Sequence, residues 1–568
     1  MNTRRRPGAT TLSFVTAGLV AVGAANQEVA GRKPALPEAN DRTVTHVLNR
    51  LTFGPRPGDV AAVRSMGLEA YIESQLHPER IDDRALDARL ASFTTINLST
   101  RELSERYFAP LNELRLQQAR ERQQTPGGTP RIENQDSPAI AQPPPELRQA
   151  MAASQQVTTE LMQAKLLRAA LSERQLQEVL TDFWFNHFNV FVGKGPVRQY
   201  LPAYERDVIR PHVLGRFRDL LGAVAHSPAM LIYLDNWQSA APATNVRRPA
   251  LVRRPNAAGR PPALPRAMPP AGQPVPGRPT RGLNENYARE LMELHTLGVD
   301  GGYTQDDVVA LARIFTGWTV ELPRQGGGFV FRPAMHDNGT KTLLGKTFQP
   351  SGESEGERAL DLLAQHPATA RHIAYKLAQR FVADEPPAAL VDRAARTFTA
   401  SRGDLREVVR VIVTSPELFA PEAHRARVKT PLEFVVSAVR ATGATVNSAL
   451  PLVAALRTLG MPLYGSQPPT GYDTTADAWV NTGALLNRMN FAVSLVGGGG
   501  RRGLTVDRPI DVDLGSFAPD ASDASARAVV ERLLGGDASP STRATLARAE
   551  TPAHLVALAL GSPEFQRR

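Results

Sequence analysis

Hydrophobic residues recur at intervals of three and four along most of the chain, which is the period of an amphipathic α-helix. The pattern is clear in ELMQAKLLRAALSERQLQEVLTDFWFNHF, HIAYKLAQRFV, DLREVVRVIV and PLEFVVSAVRAT. A strand-like pattern appears around Phe329–Phe331 and Thr342–Leu344, which flank a polar turn and predict a short hairpin. We therefore predict a mainly α protein, with a large, bundle-like helical body and one short β-hairpin.

Two proline-rich stretches interrupt the helical pattern. Residues from about 123 to 145 read QQTPGGTPRIENQDSPAIAQPPP, and residues from about 239 to 281 are dominated by Pro, Arg and Ala. Neither stretch carries enough apolar residues to offset the entropy lost on ordering. Because the flanks continue one helical pattern, we predict long disordered insertions within a single helical domain that spans residues 40–568.

The N-terminus has the three-part form of a secretory signal peptide. Arg4, Arg5 and Arg6 precede an apolar run from Leu12 to Ala25, which ends in small residues. We predict that residues 1–25 are a signal peptide and that the mature protein is periplasmic or secreted. The alternative is an uncleaved membrane anchor, for which the run is short of the roughly 20 residues of a spanning helix. No later segment is predicted to cross a membrane.

The charge balance is basic but uneven. The chain has 66 Lys and Arg against 56 Asp and Glu, a formal net charge of +10, and it contains no cysteine. Disulfides, thiolate metal sites and cysteine nucleophiles are therefore excluded. The second proline-rich stretch has no acidic residue, so the rest of the chain is close to balanced and no nucleic-acid groove is predicted. Its arginines are Arg247, Arg248, Arg253, Arg254, Arg260, Arg266, Arg278 and Arg281.

A series of ordered motifs resembles a bacterial family called domain of unknown function 1800. The series consists of HVLNRLTFGPRPGDV, FWFNHFNVFVGKG, NENYARELMELHTLGVDGGYTQDDVVALARIFTGW, HDNGTKTLLGKTF, KTPLEFVVSAVRATG, LGMPLYGSQPPTGY and LGSPEFQ. The resemblance covers nearly everything after the signal peptide. It implies an exported, mainly helical protein of a kind often encoded beside a second exported family, which resembles the alkaline phosphatase and sulfatase group and is the expected source of a partner. No established reaction comes with the resemblance.

The helix NENYARELMELH carries carboxylates beside a narrow apolar stripe centred on Tyr287. Glu290 lies at the edge of the stripe, Glu293 borders it, and Glu285 points away. Because a carboxylate at a core edge is costly without a partner, we predict that Glu290 is buried and charge-paired and that Glu285 is exposed. Glu290 and Glu293 either belong to a structural ion-pair network or form a functional carboxylate pair.

Aromatic surroundings mark two further candidates. His187 in FWFNHFNVF lies on the apolar side of its helix, next to Asn189, which is a candidate ligand-binding residue. It is either a satisfied core histidine or a ligand or acid–base group, for which imidazole is suited near neutral pH. Trp318 either fills the core or forms a platform for a ligand.

Basic and acidic side chains cluster at two other places. His336, Asp337 and Lys341 in HDNGTK surround an Asn-Gly turn, where they either decorate a hairpin tip or face a cleft. Lys376 and Arg380 in KLAQRFV lie one helical turn apart. They could hold a phosphate, sulfate or carboxylate group, or pair with the glutamates of the acidic helix.

Two classes of function remain open. The first is a helical binding or assembly component that acts with another exported protein, because no nucleotide-binding loop, haem motif or serine-hydrolase elbow is present. The second is a metal-assisted or acid/base hydrolytic enzyme, with a divalent metal as a possible cofactor. This enzyme would need one cleft shared by His187, Glu290, Glu293, His336 and Asp337.

Overall fold

The computed structural model describes residues 36–124, 143–241, 282–497 and 508–568. The predicted signal peptide lies outside these residues, as do most of the two predicted insertions. The second insertion was expected to begin at about residue 239. Ser239 is nevertheless buried, and its carbonyl accepts a hydrogen bond from the Gly317 amide (3.2 Å). The packed body therefore extends at least to Ala241.

The described residues form a mainly helical protein, as predicted. The first group of α-helices precedes the longest gap in the described residues. It consists of α1 (Asp41–Leu51), α2 (Asp59–Met66), α3 (Leu68–Leu76), α4 (Arg84–Leu90), α5 (Thr100–Leu103), α6 (Ala109–Gln124), α7 (Pro145–Leu171), α8 (Gln175–His187), α9 (Val197–Ala203), α10 (Phe217–His226) and α11 (Pro228–Tyr233).

The second group of helices follows that gap. It consists of α12 (Glu285–Glu293), α13 (Gln305–Ile314), α14 (Glu353–Ala364), α15 (Pro367–Phe381), α16 (Ala388–Ala400), α17 (Leu405–Val413), α18 (Pro431–Ala441), α19 (Leu450–Thr458), α20 (Ala476–Trp479), α21 (Thr482–Val496), α22 (Leu514–Phe517), α23 (Asp523–Leu534), α24 (Pro540–Leu546), α25 (Pro552–Gly561) and α26 (Pro563–Gln566). Short π-helical segments occupy Ser104–Phe108 and Tyr204–Ile209.

Three two-stranded antiparallel sheets accompany the helices in the described part of the chain. The strands are β1 (Trp318–Val320), β2 (Phe329–Phe331), β3 (Lys341–Leu343), β4 (Lys346–Phe348), β5 (Thr445–Val446) and β6 (Ile510–Asp511), paired β1–β2, β3–β4 and β5–β6.

The small hairpin is confirmed, but its predicted pairing is wrong. The strand at Phe329–Phe331 pairs with the preceding strand, Trp318–Val320, and β3 pairs with the following strand, β4. The cause is local, because Leu344 (φ 48°) and Gly345 (φ 73°) both adopt positive φ. Two such residues make the tight two-residue turn of a hairpin, which returns the chain immediately after β3.

Helix starts follow the capping signals of the sequence. Thr304 accepts a hydrogen bond from the Asp307 amide, and the Asp307 side chain accepts from the Thr304 amide, so the capping box expected at α13 is present. Most helices share one continuous hydrophobic core, which runs from Val44 in α1 to Phe565 in α26. In the described part of the chain, no helix combines the length and apolar character needed to span a membrane.

Candidate functional site

A cleft of about 170 Å³ lies where α8, α15 and the start of α18 meet the long loop between α19 and α20. The end of α12 and the C-terminal residue Arg568 complete its walls. Its lining residues are Asp182, Phe183, Asn186, His187, Glu293, Leu294, Val299, His372, Lys376, Gln379, Arg380, Arg427, Thr430, Glu433, Met461, Thr470, Thr474 and Arg568.

Helix α15 presents His372, Lys376 and Arg380 to this cleft, because residues four apart share one helix face. Lys376 has no hydrogen-bond or ion-pair partner among the described residues. Burial lowers the pKa of Lys376, against the opposing effect of Asp473. An ammonium group is thus held at the cleft with its donors uncommitted.

Glu433 is the hub of the ion pairs around the cleft. It belongs to a capping box at the start of α18, in which its Oε2 accepts from the Thr430 amide at 2.9 Å. Its Oε1 lies 3.0 Å from Arg380 and 2.9 Å from Arg568. Burial alone would raise the pKa of Glu433, but Arg568, Arg380 and Arg427 lower it to about 2. The carboxylate is therefore charged, and both of its oxygens have partners within the protein.

The basic side chains around Glu433 outnumber their carboxylate partners. Arg427 pairs with Asp384 at 2.6 Å, and Glu433 serves the two arginines named above. The set, called here the cation cluster, is less than one tenth exposed and consists of Arg50, Arg380, Arg427, Lys429, Arg488 and Arg568. Burial, reinforced by neighbouring arginines, lowers the pKa of Arg50 to about 9, and burial lowers that of Lys429 to about 7. A positive potential is thus built into the protein interior.

Several guanidinium nitrogens of the cation cluster have no hydrogen-bond partner although they are buried. Among the residues that line the cleft, these atoms are Nη1 of Arg380, Nε of Arg427, and Nε and Nη1 of Arg568. A buried donor without an acceptor costs roughly 1–3 kcal/mol, and more when it is charged. Natural proteins satisfy most such groups, and here three of the arginines that line the cleft carry them.

Two histidine rings also line the cleft. His187 donates from Nε2 to the His295 carbonyl at 3.2 Å, and His372 from Nε2 to the Leu294 carbonyl at 3.3 Å. Burial first, then neighbouring positive groups, lowers the pKa of His187 well below its ordinary value and that of His372 to about 4. Both rings are therefore neutral at pH 7. No group of three or more His, Asp or Glu residues in the described ranges could hold a metal ion.

The side-chain amides of Asn186 and Asn189 hold in place the loop between α19 and α20, which forms part of the cleft. Asn189 donates to the carbonyls of Ser466 (3.1 Å) and Pro468 (2.9 Å), while Asn186 exchanges hydrogen bonds with the backbone of Tyr472. The structure thus gives Asn189, a predicted ligand contact, the role of a loop anchor. Its buried amide sets the position of the loop that carries Met461, Thr470 and Thr474 into the cleft.

The surroundings of Glu290 in the acidic helix α12 differ from those predicted. Glu290 is half-buried and has no ion pair among the described residues, so its predicted burial and charge pairing are wrong. Burial and the charge of Glu293 raise the pKa of Glu290, and its own helix supplies only Arg289 as an opposing charge. Glu293 reaches the cleft and accepts a hydrogen bond from the Tyr303 hydroxyl at 3.1 Å. Glu285 is partly exposed, where it accepts from Gln305.

His336, Asp337 and Lys341 belong to a separate buried network. Its centre is Glu355, which sequence reasoning missed. Glu355 receives Lys341 Nζ at 2.7 Å and lies 3.1 Å from His336 Nε2, and it is completely buried. Asp337 pairs with Arg313 at 2.8 Å. None of these side chains lines the cleft, so the structure does not bring the five predicted catalytic candidates together in one place.

Trp318 fills the core. It is fully buried against Phe315, Phe329 and His226. A Cβ at Gly356 would approach its ring to 2.2 Å, which shows how tightly α14 packs on it. The alternative of a ligand platform is therefore not supported by its surroundings.

Among the residues that line the cleft, sequence reasoning missed Arg427, Glu433, Arg568 and His372. Glu433 had a local signal, because TPLE at the start of α18 has the spacing of a capping box. The others had none. Arg427 and Arg568 meet through an isolated backbone bridge between distant segments, at Val428 and Arg567.

Fold and cleft together define a mainly helical protein with a cleft that several buried cationic side chains line. The sequence model of the family described as protein of unknown function (DUF1800) matches residues 46–567. The chain therefore belongs to this family, and the resemblance seen in its motifs is confirmed. No curated protein and no solved structure matches the chain significantly.

Proposed function

We propose that the protein is an exported binding protein whose cleft holds an anionic, oxygen-rich group such as a phosphate, sulfate or carboxylate. One observation carries this proposal. Arg380, Arg427 and Arg568 line the cleft, are less than one tenth exposed, and keep guanidinium nitrogens without acceptors. Guanidinium groups recognise such anions through paired hydrogen bonds.

The energetics of the cation cluster favour the same ligand class. Burying charged groups is expensive, and the lowered pKa values of Arg50 and Lys429 report that cost. An anion in the cleft would lie beside Arg380 and Arg568 and close to Lys376. Its charge would offset part of the repulsion among the arginines, so binding should stabilise the folded state.

Export and partnership complete the proposal. Residues 1–25 would direct the protein to the periplasm or the medium, where it would act with another exported protein. The family resemblance points to a partner of the alkaline phosphatase or sulfatase-like kind. A pull-down of the tagged protein from an envelope extract tests this, and recovery of no specific exported partner would count against it.

A hydrolytic enzyme is the second candidate, and one observation favours it. His187 lines the cleft as a neutral ring, and its Nε2–H donates a hydrogen bond to the His295 carbonyl. Its Nδ1 is consequently the acceptor nitrogen, as a general base requires. Turnover of a chromogenic phosphate or sulfate ester that His187→Gln abolishes would select this candidate. Binding without turnover, with and without added divalent metals, would select the binding protein.

The central test is calorimetric titration with inorganic phosphate and sulfate. We expect wild type to bind, and Lys376→Met to lose at least about tenfold in affinity, since one charge-assisted contact contributes roughly 1.5–3 kcal/mol. Lys376 has no structural partner, so this variant should fold normally. Lys346→Met, at an exposed site in β4, is the matched control. Absence of binding by wild type, or equal binding by both variants, would overturn the proposal.

A further inference from the structure

The lining of the cleft includes two unlike sets of side chains, called here its cationic wall and its apolar wall. One carries Lys376, Arg380, Arg427 and Arg568, and the other carries Phe183, Leu294, Val299 and Met461. Val299 is 70% exposed, in the turn that follows α12. A large aliphatic side chain exposed at the mouth of an anion-binding cleft has no role in holding a free ion, because a hydrated anion gains nothing from apolar contact.

The size of the cleft points the same way. Its volume of about 170 Å³ is more than ten times the roughly 10–15 Å³ that a cavity needs to hold one water molecule. This is more than a single tetrahedral anion fills. The remaining space lies against side chains that favour an apolar or ring-shaped group, since small-molecule sites combine apolar walls with a few placed polar groups.

The number of donors on the lining residues discriminates among anions. Arg380 Nη1, Arg427 Nε, and Nε and Nη1 of Arg568 are unpartnered, and the Lys376 ammonium adds further donors. A carboxylate offers two oxygens, whereas a phosphate monoester offers three acceptor oxygens and a charge of about −1.5 to −2. A sulfate monoester also has three terminal oxygens. The donor set therefore matches a tetrahedral group better than a planar one.

We propose that the cleft takes an organic monoester, in which a phosphate or sulfate group rests on the cationic wall and an apolar body rests on Phe183, Leu294, Val299 and Met461. This inference rests on the proposed anion-binding function and adds the class of ligand. Inorganic phosphate should occupy the cationic wall alone and bind more weakly.

The experiment titrates wild type with phenyl phosphate, phenyl sulfate, benzoate and inorganic phosphate. We expect the better of the two phenyl esters to bind at least about tenfold more tightly than inorganic phosphate and benzoate. Whichever ester binds more tightly identifies the tetrahedral group, and either result supports the proposal. Benzoate binding as tightly as the esters would overturn the argument from acceptor oxygens.

Val299→Ser tests the apolar wall without altering charge or core. It should weaken phenyl ester binding roughly three- to fivefold, the effect of about one lost methylene contact, and leave inorganic phosphate binding unchanged. Val480→Ser, at a site 52% exposed and outside the cleft, is the matched control. If wild type binds inorganic phosphate and the esters equally and Val299→Ser is neutral, the monoester inference fails while anion binding stands. If wild type binds none of the ligands, both fail.

Discussion

Arg568 and Glu433 form a buried ion pair, with 2.9 Å between Nη2 and Oε1, and neither side chain is more than 7% exposed. The same carboxylate oxygen receives Arg380 at 3.0 Å. Glu433 thus joins α15, the start of α18 and the end of the chain. The cationic wall of the cleft depends on this carboxylate, because it holds two of the arginines in position.

Glu433→Gln should therefore destabilise the protein by about 3–5 kcal/mol, the usual cost of breaking a buried ion pair. The folded-state pKa of Glu433 is lowered to about 2 from an ordinary 4.5. Its stabilisation is then fully present above pH 4.5 and is lost as the pH falls towards 2. Urea unfolding should show a large difference between wild type and Glu433→Gln at pH 7 that shrinks by pH 2.5. The exposed Glu422→Gln serves as control, and a difference independent of pH would contradict this account.

Gly471→Ala should damage the loop that forms one side of the cleft. Gly471 has φ 75°, and an added Cβ would lie 2.4 Å from the Asn186 carbonyl oxygen. Gly460→Ala is the matched control, because Gly460 has φ 83° but open space around its Cβ position. Left-handed backbone alone costs roughly 1–2 kcal/mol in a non-glycine residue. Gly471→Ala should exceed that cost and also weaken anion binding, whereas equal unfolding free energies for the two variants would argue against the clash.

Glu355→Gln should lower stability without altering ligand affinity. Glu355 is fully buried, and its hydrogen bonds from Lys341, the Ser351 amide and His336 lower its pKa against the effect of burial. Removing its charge leaves Lys341 buried without a counter-charge, at a cost of about 3–5 kcal/mol. Glu353→Gln, exposed in the first turn of the same helix, should change the unfolding free energy by less than about 0.5 kcal/mol. Loss of phosphate affinity in folded Glu355→Gln would show that this network does reach the cleft.

Glu290→Gln should not destabilise the protein, contrary to the expectation from the helical wheel. Burial and Glu293 raise the pKa of Glu290, so its charged form costs free energy at pH 7 that glutamine avoids. We expect unchanged or slightly higher stability at pH 7, within about 0.5 kcal/mol, and no advantage at acid pH, where Glu290 is protonated. Glu285→Gln is the control on the same helix. A clear loss of stability would reveal an ion pair that the contacts of Glu290 do not include.

Replacing residues 242–281 with a short glycine linker between Ala241 and Gly282 should leave the thermal midpoint of unfolding almost unchanged. The Ala240 amide donates to the Gly282 carbonyl at 3.2 Å, and the Asn284 amide donates to Ser239 Oγ at 3.2 Å. The two flanks already lie side by side, and closure entropy varies slowly with loop length. Thermal unfolding of the shortened and full chains makes the comparison. A fall of several degrees would mean that residues 242–281 contribute contacts to the body.

Sequence by itself determined the features that depend on neighbouring residues. The helical period reflects hydrogen bonds four residues apart, and the capping box of Thr304 and Asp307 closes within three residues. The aromatic neighbours of His187 and the apolar context of Trp318 correctly indicated that both side chains could be buried. The ordered motifs indicated the family before any tertiary contact was known.

Tertiary structure alone decided which distant side chains meet. Arg427, Glu433 and Arg568 converge because α15, α18 and the chain end pack together, and helical periodicity says nothing about that arrangement. Glu290 is a case in which the expected contact is missing. The helical wheel placed it at a core edge, but only tertiary packing could decide whether a cation from another element would reach it. Ion pairs within a helix follow from spacing, whereas ion pairs between helices depend on packing angles and register that many sequences can satisfy.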